Sequence, residues 1–174
     1  LMLVDTDQIQ RYIFSTNRLR EIRGASLLLE RLNSLETPRL IHAHAGELIF
    51  VGGGGALATF RTELDADACL VDIQKLYRQQ THLATVTGVC IPFEHGLREK
   101  QALQQVRAEL HLRKSEATQP QIVPVNAYFQ RCTSCNQFPV THRIRGDDLC
   151  IACTHKRQEA DATRKNHCGD RQVD

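Results

Sequence analysis

Several features are missing from this chain, and each absence removes a class of protein. None of its apolar stretches approaches the roughly 20 residues of a membrane span, and no signal peptide precedes the first expected strand. The net charge is only +2, which gives no strong electrostatic argument for nucleic acid or a membrane surface. We find no internal repeat and no arrangement of Ser, Cys and His that indicates nucleophilic catalysis. A globular protein of 174 residues without a membrane partner is therefore expected.

The cysteine content indicates the compartment. Seven cysteines are an odd number, and four of them fall in a metal-like pattern. Together these features favour a reducing, cytoplasmic setting over a disulfide framework. We expect the remaining three to be buried small side chains or inert thiols: Cys69, Cys90 and Cys168.

The order of apolar patterns along the chain predicts an α+β fold. A strand (1–4), two helices, a glycine-containing hairpin, a helix, a strand (84–93), a helix (97–112) and a last strand (121–129) follow one another. Pro38 is expected to end the second helix or to begin its exit loop. A mixed sheet with helices on one face, in a ferredoxin-like arrangement, is the simplest way to bury these apolar faces.

The four patterned cysteines predict a zinc ribbon. They form two C-x2-C pairs separated by fourteen residues: Cys132, Cys135, Cys150 and Cys153. Two such pairs supply the tetrahedral sulfur cage that structural zinc prefers, with no position left for water. Four basic residues nearby could contact phosphates: Arg143, Arg145, Lys156 and Arg157. Acidic residues lie among them, so a solvated surface of mixed charge is the favoured interpretation.

Two further patterns suit a nucleotide. The four-glycine run at 52–55 predicts a hairpin whose tip presents bare backbone, close to which a phosphate or a second chain can come. A flexible tip without a ligand is the alternative. Asp5 and Asp7 follow the first strand and project to the same side, which suits a divalent cation bound to a nucleotide. Alternatively, Asp7 caps the next helix and Asp5 is solvated.

Three segments stand in a particular order: Val4 to Phe14, Arg18 to Ser26 with its R-G-A-S helix start, and Phe50 to Gly54. Together with the cysteine ribbon they resemble the large, polymerase-like subunit of type III CRISPR effector complexes (Cmr/Csm-type). The resemblance implies a palm fold of the nucleotidyl-cyclase and polymerase type. In that family two palms are separated by a ribbon, and they join ATP into cyclic oligoadenylates when the complex binds target RNA. The resemblance therefore also implies a role in antiviral defence.

The chain departs from the catalytic palm of that family at one point. A catalytic hairpin carries a G-G-D-D motif, whereas Gly54 and Gly55 stand where the acids belong. Glycine has no side chain that ligates magnesium, so the resemblance implies a non-catalytic first palm, with the catalytic palm beyond Asp174. The expected domains are a degenerate palm (1–129), the zinc ribbon (130–155) and a polar helical tail or linker (156–174). The catalytic residues of the parent would then lie outside this chain.

The resemblance also implies a set of ligands and partners. The expected nucleotide-contacting residues are Asp5, Asp7, Arg23, Ser26, Gly52, Gly53, Gly54 and Gly55; Arg23 is equally open to being a surface charge. Zinc is the structural cofactor, and ATP with Mg²⁺ belongs to the intact protein. The other subunits of the complex, with guide and target RNA, are the partners. Two alternatives stay open: a palm-plus-ribbon scaffold that holds RNA or a partner subunit, and a stand-alone cyclase-like signalling protein.

Overall fold

The computed structural model describes residues 1–93, 99–116 and 129–169, with side chains described to residue 163 in the last range. Its contacts group the chain into two compact units. The first contains Leu1–Gln8, Glu30–Gln79 and Ala84–Pro120, and the second contains Ile9–Leu29, Gln80–Leu83 and Gln121–Asp174. The division into 1–129, 130–155 and 156–174 stays a prediction about domains.

The first unit is built on a four-stranded sheet. Its strands are β1 (Met2–Thr6), β2 (Glu47–Gly52), β3 (Gly55–Thr59) and β4 (Val86–Cys90), in the order β2-β3-β1-β4. This is the order of a ferredoxin-like fold, so the expected fold class is confirmed. The expectation of a mixed sheet is wrong, because each neighbouring pair is antiparallel. Of the last expected strand, 121–129, residues 121–128 lie outside the described residues, so this expectation stays a prediction.

Helices lie on both faces of this sheet, not on one as expected. Leu70 of α4 (Glu63–Thr81) lies over Gly88 and Val4 on one face. On the other face, Val106 and Leu110 of α5 (Glu99–Glu116) form a buried cluster with Val89 and Ile91. Side chains alternate along a strand, so Val4 and Leu3 point to opposite faces, and Leu3 packs against the α5 cluster.

Pro38 does not end a helix. The helix α2 (Leu19–Arg31) runs into a π-helical turn (Leu32–Glu36), and this turn leads directly into α3 (Thr37–Ala43). Pro38 lies in the first turn of α3, a position that suits proline because its ring holds φ at a helical value. The expectation that it ends the helix is therefore wrong.

The second unit contains the four cysteines. Besides α2 it has a short helix α1 (Ile9–Ile13), a hairpin of β5 (His142–Ile144) and β6 (Asp147–Leu149), and α6 (Ile151–Gly169). Its core consists of the four cysteines with Leu149 and Ala152, against which Phe138 and Ile144 pack. Among the residues that the structure describes, no helix combines the length and the apolar character needed to cross a bilayer.

Candidate nucleotide site and candidate metal centre

The carboxylates of Asp5 and Asp7 lie together at the end of β1 and share a cation from the same protein. The Lys114 Nζ lies 2.6 Å from Asp5 Oδ2 and 3.2 Å from Asp7 Oδ1. The second oxygen of Asp7 accepts hydrogen bonds from the hydroxyls of Thr85 (3.0 Å) and Thr87 (2.9 Å). The Asp7 carboxylate thus faces the sheet and α5, so the helix-cap alternative for Asp7 is not what the structure shows.

The glycine hairpin forms as expected and is attached to the same strand end. Gly53 and Gly54 form its turn with φ values of 63° and 92°, a region that favours glycine. The Gly54 carbonyl accepts two hydrogen bonds from Thr6, from its N–H (2.9 Å) and from its hydroxyl (2.7 Å). A Cβ on Gly55 would lie 2.8 Å from the carbonyl oxygen of Val4, which is too close for any side chain. A Cβ on Gly53 would meet no atom within 4 Å among the described residues.

An apolar groove of about 450 Å³ lies between the hairpin and α5. It is lined by apolar residues that include Leu3, Phe50, Leu57 and Leu103, together with the charged residues Asp5 and Arg107. Phe50 is 58% exposed. Arg107 is exposed and has no ion-pair partner among the described residues. The groove therefore offers an apolar surface for a flat ring, with one positively and one negatively charged residue, Arg107 and Asp5, in its lining.

Arg23 and Ser26 belong to the second unit. Both are exposed on α2, which begins at Leu19, so they lie within a helix and not at its start as expected. The Ser26 hydroxyl donates to the Ile22 carbonyl at 3.2 Å. Their part in nucleotide binding stays a prediction.

The four cysteines fit a zinc ion. Their sulfur atoms all lie within 4.8 Å of one another, and all four side chains are at least nine-tenths buried. The Cys135 and Cys150 sulfurs are 3.8 Å apart, which is far beyond the length of a disulfide. Four sulfurs at about 2.3 Å from a zinc ion form a tetrahedron with edges of about 3.8 Å. The sulfur distances therefore match a tetrathiolate site.

The electrostatics of the thiols also point to a cation. Hydrogen bonds from Cys150 and then from Cys153 hold the pKa of Cys135 far below its usual range. The hydrogen bond from Cys153 to Cys135 in turn raises the pKa of Cys153, and the one from Cys150 raises the pKa of Cys150 to about 12; the Cys135 charge adds to both effects. Without a metal ion, one thiolate thus opposes the ionisation of its neighbours. A divalent cation removes this repulsion, and all four sulfurs can then be thiolates.

Lys156 and Arg157 are not on a solvated surface, contrary to expectation. Lys156 is 0% exposed, and its ammonium donates to the Tyr12 carbonyl (2.5 Å) and the Ser15 hydroxyl (2.8 Å). Arg157 is 4% exposed and donates to Glu21 through both Nε (3.0 Å) and Nη2 (2.5 Å). Buried charges need partners, and these side chains have them. Arg143 and Arg145 are exposed, as expected.

Sequence reasoning missed two features of the candidate nucleotide site. Lys114 follows Val106 and Leu110 at helical spacing, so it lies on the face of α5 that packs on the sheet. The four-residue spacing of Val106, Leu110 and Lys114 was visible in the sequence, but a lysine is usually expected to be exposed to solvent. Phe50 looked like an ordinary strand residue. A register shift between Leu48 and Phe50 allows both Ile49 and Phe50 to be exposed.

Comparison with known proteins shows a likeness of fold. Among the solved structures that match this chain are two with a probability of 1.00 each. The first, of the apo Csm1–Csm4 cassette, has a TM-score of 0.51 and 21% sequence identity. The second, of the Csm1–Csm4 cassette in complex with pppApA, has a TM-score of 0.52 and 20% identity. No protein-family profile and no curated protein matches the sequence.

These matches confirm, at the level of fold, the resemblance to a Cmr/Csm-type subunit that the sequence motifs indicated. Each match covers 66% of this chain and 18% of the solved chain. The chain therefore corresponds to a minor part of the proteins that it resembles.

Proposed function

We propose that this chain is the nucleotide-binding, non-catalytic first palm of a type III CRISPR large subunit, followed by its zinc ribbon. The observation that carries the proposal is the apolar groove beside a glycine hairpin that has no acidic residue at its tip. The shared fold supports it, since one of the solved structures that this chain resembles is a cassette in complex with pppApA.

The groove has the chemistry that an adenine base requires. A base presents two flat apolar faces, and it gains binding free energy by stacking on an aromatic ring. Phe50 supplies such a ring, and Leu57 and Leu103 line the same groove. The phosphates would lie toward Arg107 or the bare backbone of the hairpin turn, both of which are open to an anion.

The same site lacks what phosphoryl transfer requires. Two-metal catalysis needs carboxylates that hold the ions beside the attacking and leaving oxygens. Gly54 and Gly55 provide none, and the Asp5 and Asp7 carboxylates already share the Lys114 ammonium. The proposed chain therefore binds ATP and leaves the synthesis of cyclic oligoadenylates to another part of the parent protein.

The remaining assignments follow from the same proposal. Zinc is the structural cofactor of the four-cysteine ribbon, and ATP with Mg²⁺ serves the intact protein. The partners are the other subunits of a cytoplasmic type III complex with its guide RNA and target RNA. Arg23 and Ser26 are proposed to face nucleotide or a neighbouring subunit from α2.

Calorimetric titration of ATP into the zinc-loaded full chain tests the nucleotide role. We expect Phe50→Ala to weaken ATP binding about 5- to 150-fold, because stacking contributes about 1–3 kcal/mol per base. Ile49→Ala is the matched control. Ile49 is next to Phe50 in the sequence and is similarly exposed, at 55%, but it does not line the groove. Equal affinities of the two variants would contradict the proposal.

A scaffold role is the second candidate. The observation that favours it is a pair of exposed large apolar side chains in the second unit, Phe14 and Leu19, which a protein partner would cover. A wild-type chain that binds no ATP at millimolar concentration would support the scaffold and refute the nucleotide role.

A further inference from the structure

The ammonium of Lys114 is surrounded by oxygen atoms of the kinds that bind divalent metal ions in proteins. Three oxygens lie within 3.2 Å of Nζ: Asp5 Oδ2 (2.6 Å), Asp7 Oδ1 (3.2 Å) and the Thr6 carbonyl (3.2 Å). Two carboxylates and a carbonyl are the oxygen donors that hard divalent cations take. A protein cation thus satisfies a donor set that otherwise suits Mg²⁺ or Mn²⁺.

The packing of α5 holds the lysine in this place. Val106 and Leu110 are buried against Val89 and Ile91, and they lie about two turns and one turn before Lys114 on the same helix face. The side chain therefore reaches the end of β1 from a helix that is fixed on the sheet. The side chain is 26% exposed, so most of its surface is covered by the surrounding protein.

The acceptor side is fixed as well. The hydroxyls of Thr85 and Thr87 hold one oxygen of Asp7, so the other oxygen remains directed at Nζ. The Asp7 side chain is 18% exposed and Asp5 is 40% exposed. Two carboxylates this close repel each other, and the ammonium between them removes the repulsion.

We propose that Lys114 is a tethered cation that replaces a divalent metal ion at the end of β1. A divalent ion cannot enter while the ammonium remains, because the two positive charges would share the same oxygens. Removal of the ammonium leaves the paired carboxylates and the Thr6 carbonyl free for one ion. For the nucleotide this means binding that does not depend on Mg²⁺, a consequence that rests on the proposed function.

Manganese titration followed by electron paramagnetic resonance tests the inference without any nucleotide. The zinc-loaded, chelator-free full chain is compared with Lys114→Met, which keeps the length of the side chain and removes the charge. We expect Lys114→Met to bind one Mn²⁺ at least tenfold more tightly than the wild type. The double variant Lys114→Met, Asp5→Asn should lose this site. Lys75→Met, which removes an exposed lysine on α4, is the matched control and should behave as the wild type.

Two outcomes overturn the inference. One is a wild-type chain that binds Mn²⁺ as tightly as Lys114→Met, with the affinity lost in Asp5→Asn. The other is a folded Lys114→Met protein that gains no Mn²⁺ site. If that variant does not fold, Lys114→Gln provides the same comparison, since its amide is neutral and polar.

ATP binding supplies a separate readout. The wild-type affinity should change less than threefold between metal-free buffer and buffer with Mg²⁺, and a tenfold loss without Mg²⁺ overturns the inference. If no ATP binds in either buffer, the proposed function fails, while the Mn²⁺ titration still decides the role of Lys114.

Discussion

The contact between α2 and α6 makes the substitution Gly24→Ala a sharp test of the fold of the second unit. A Cβ at this position would lie 1.7 Å from the Lys156 carbonyl oxygen, 2.6 Å from its carbonyl carbon and 3.2 Å from the Ala160 nitrogen. All three atoms are backbone, so no side-chain rotation relieves the clash. An ordinary carbon–oxygen contact of about 3.3 Å requires the two helices to move apart by about 1.6 Å.

The expected magnitude follows from what that movement disrupts. Overpacking a core costs about 1–3 kcal/mol, and breaking a buried ion pair costs about 3–5 kcal/mol. The second figure applies because Arg157 of α6 pairs with Glu21 of α2 in a fully buried contact. Alanine recovers about 1 kcal/mol over glycine through its helix propensity. We therefore expect Gly24→Ala to lower the free energy of unfolding by about 3 kcal/mol or more.

Urea unfolding of the zinc-loaded chain, followed by circular dichroism, measures this free energy. Ser26→Ala is the matched control on the same helix, because Ser26 is exposed, and its effect should stay within about 0.5 kcal/mol. If Gly24→Ala unfolded within 1 kcal/mol of the wild type, the close approach of α2 and α6 would be refuted.

Two further predictions concern the metal and the chemistry. Elemental analysis should find about one zinc per chain, and the double substitution Cys132→Ser with Cys135→Ser should abolish it. Zinc affinity should fall about tenfold for each unit by which the pH is lowered, for each thiol proton that binding releases. An unchanged melting temperature after zinc removal would count against the ribbon. The purified chain should make no cyclic oligoadenylate from ATP and Mg²⁺, and Gly55→Asp should not create this activity, because its Cβ would lie 2.8 Å from the Val4 oxygen; any cyclic product would overturn the non-catalytic assignment.

The parts of the molecule that the sequence predicted depend on local patterns. Alternation of apolar residues and the glycine run at 52–55 were enough to predict the hairpin, and the ferredoxin-like order follows from the way such strands pair. The C-x2-C pairs predicted the cysteine cluster because two residues between thiols place both on one side of a turn. Pro38 misled the prediction, since the same residue ends one helix or begins another.

The parts that the sequence did not predict depend on partners far along the chain. Arg157 looked like a surface charge, and its partner Glu21 is 136 residues away. Lys156 donates to Tyr12 and Ser15, which are 144 and 141 residues away. A charged residue is usually exposed, so only the structure could show that these two side chains are enclosed and paired.

The tip of the hairpin and the place of Lys114 are physically connected. In a palm with acidic residues at its hairpin, divalent ions balance the charge of the strand-end carboxylates. With Gly54 and Gly55 at the tip, Asp5 and Asp7 alone offer too few ligands for two ions, yet their mutual repulsion remains. An ammonium carried by α5 removes that repulsion permanently and at any Mg²⁺ concentration. The fold of this unit can therefore persist without the metal ions that the catalytic reaction would need.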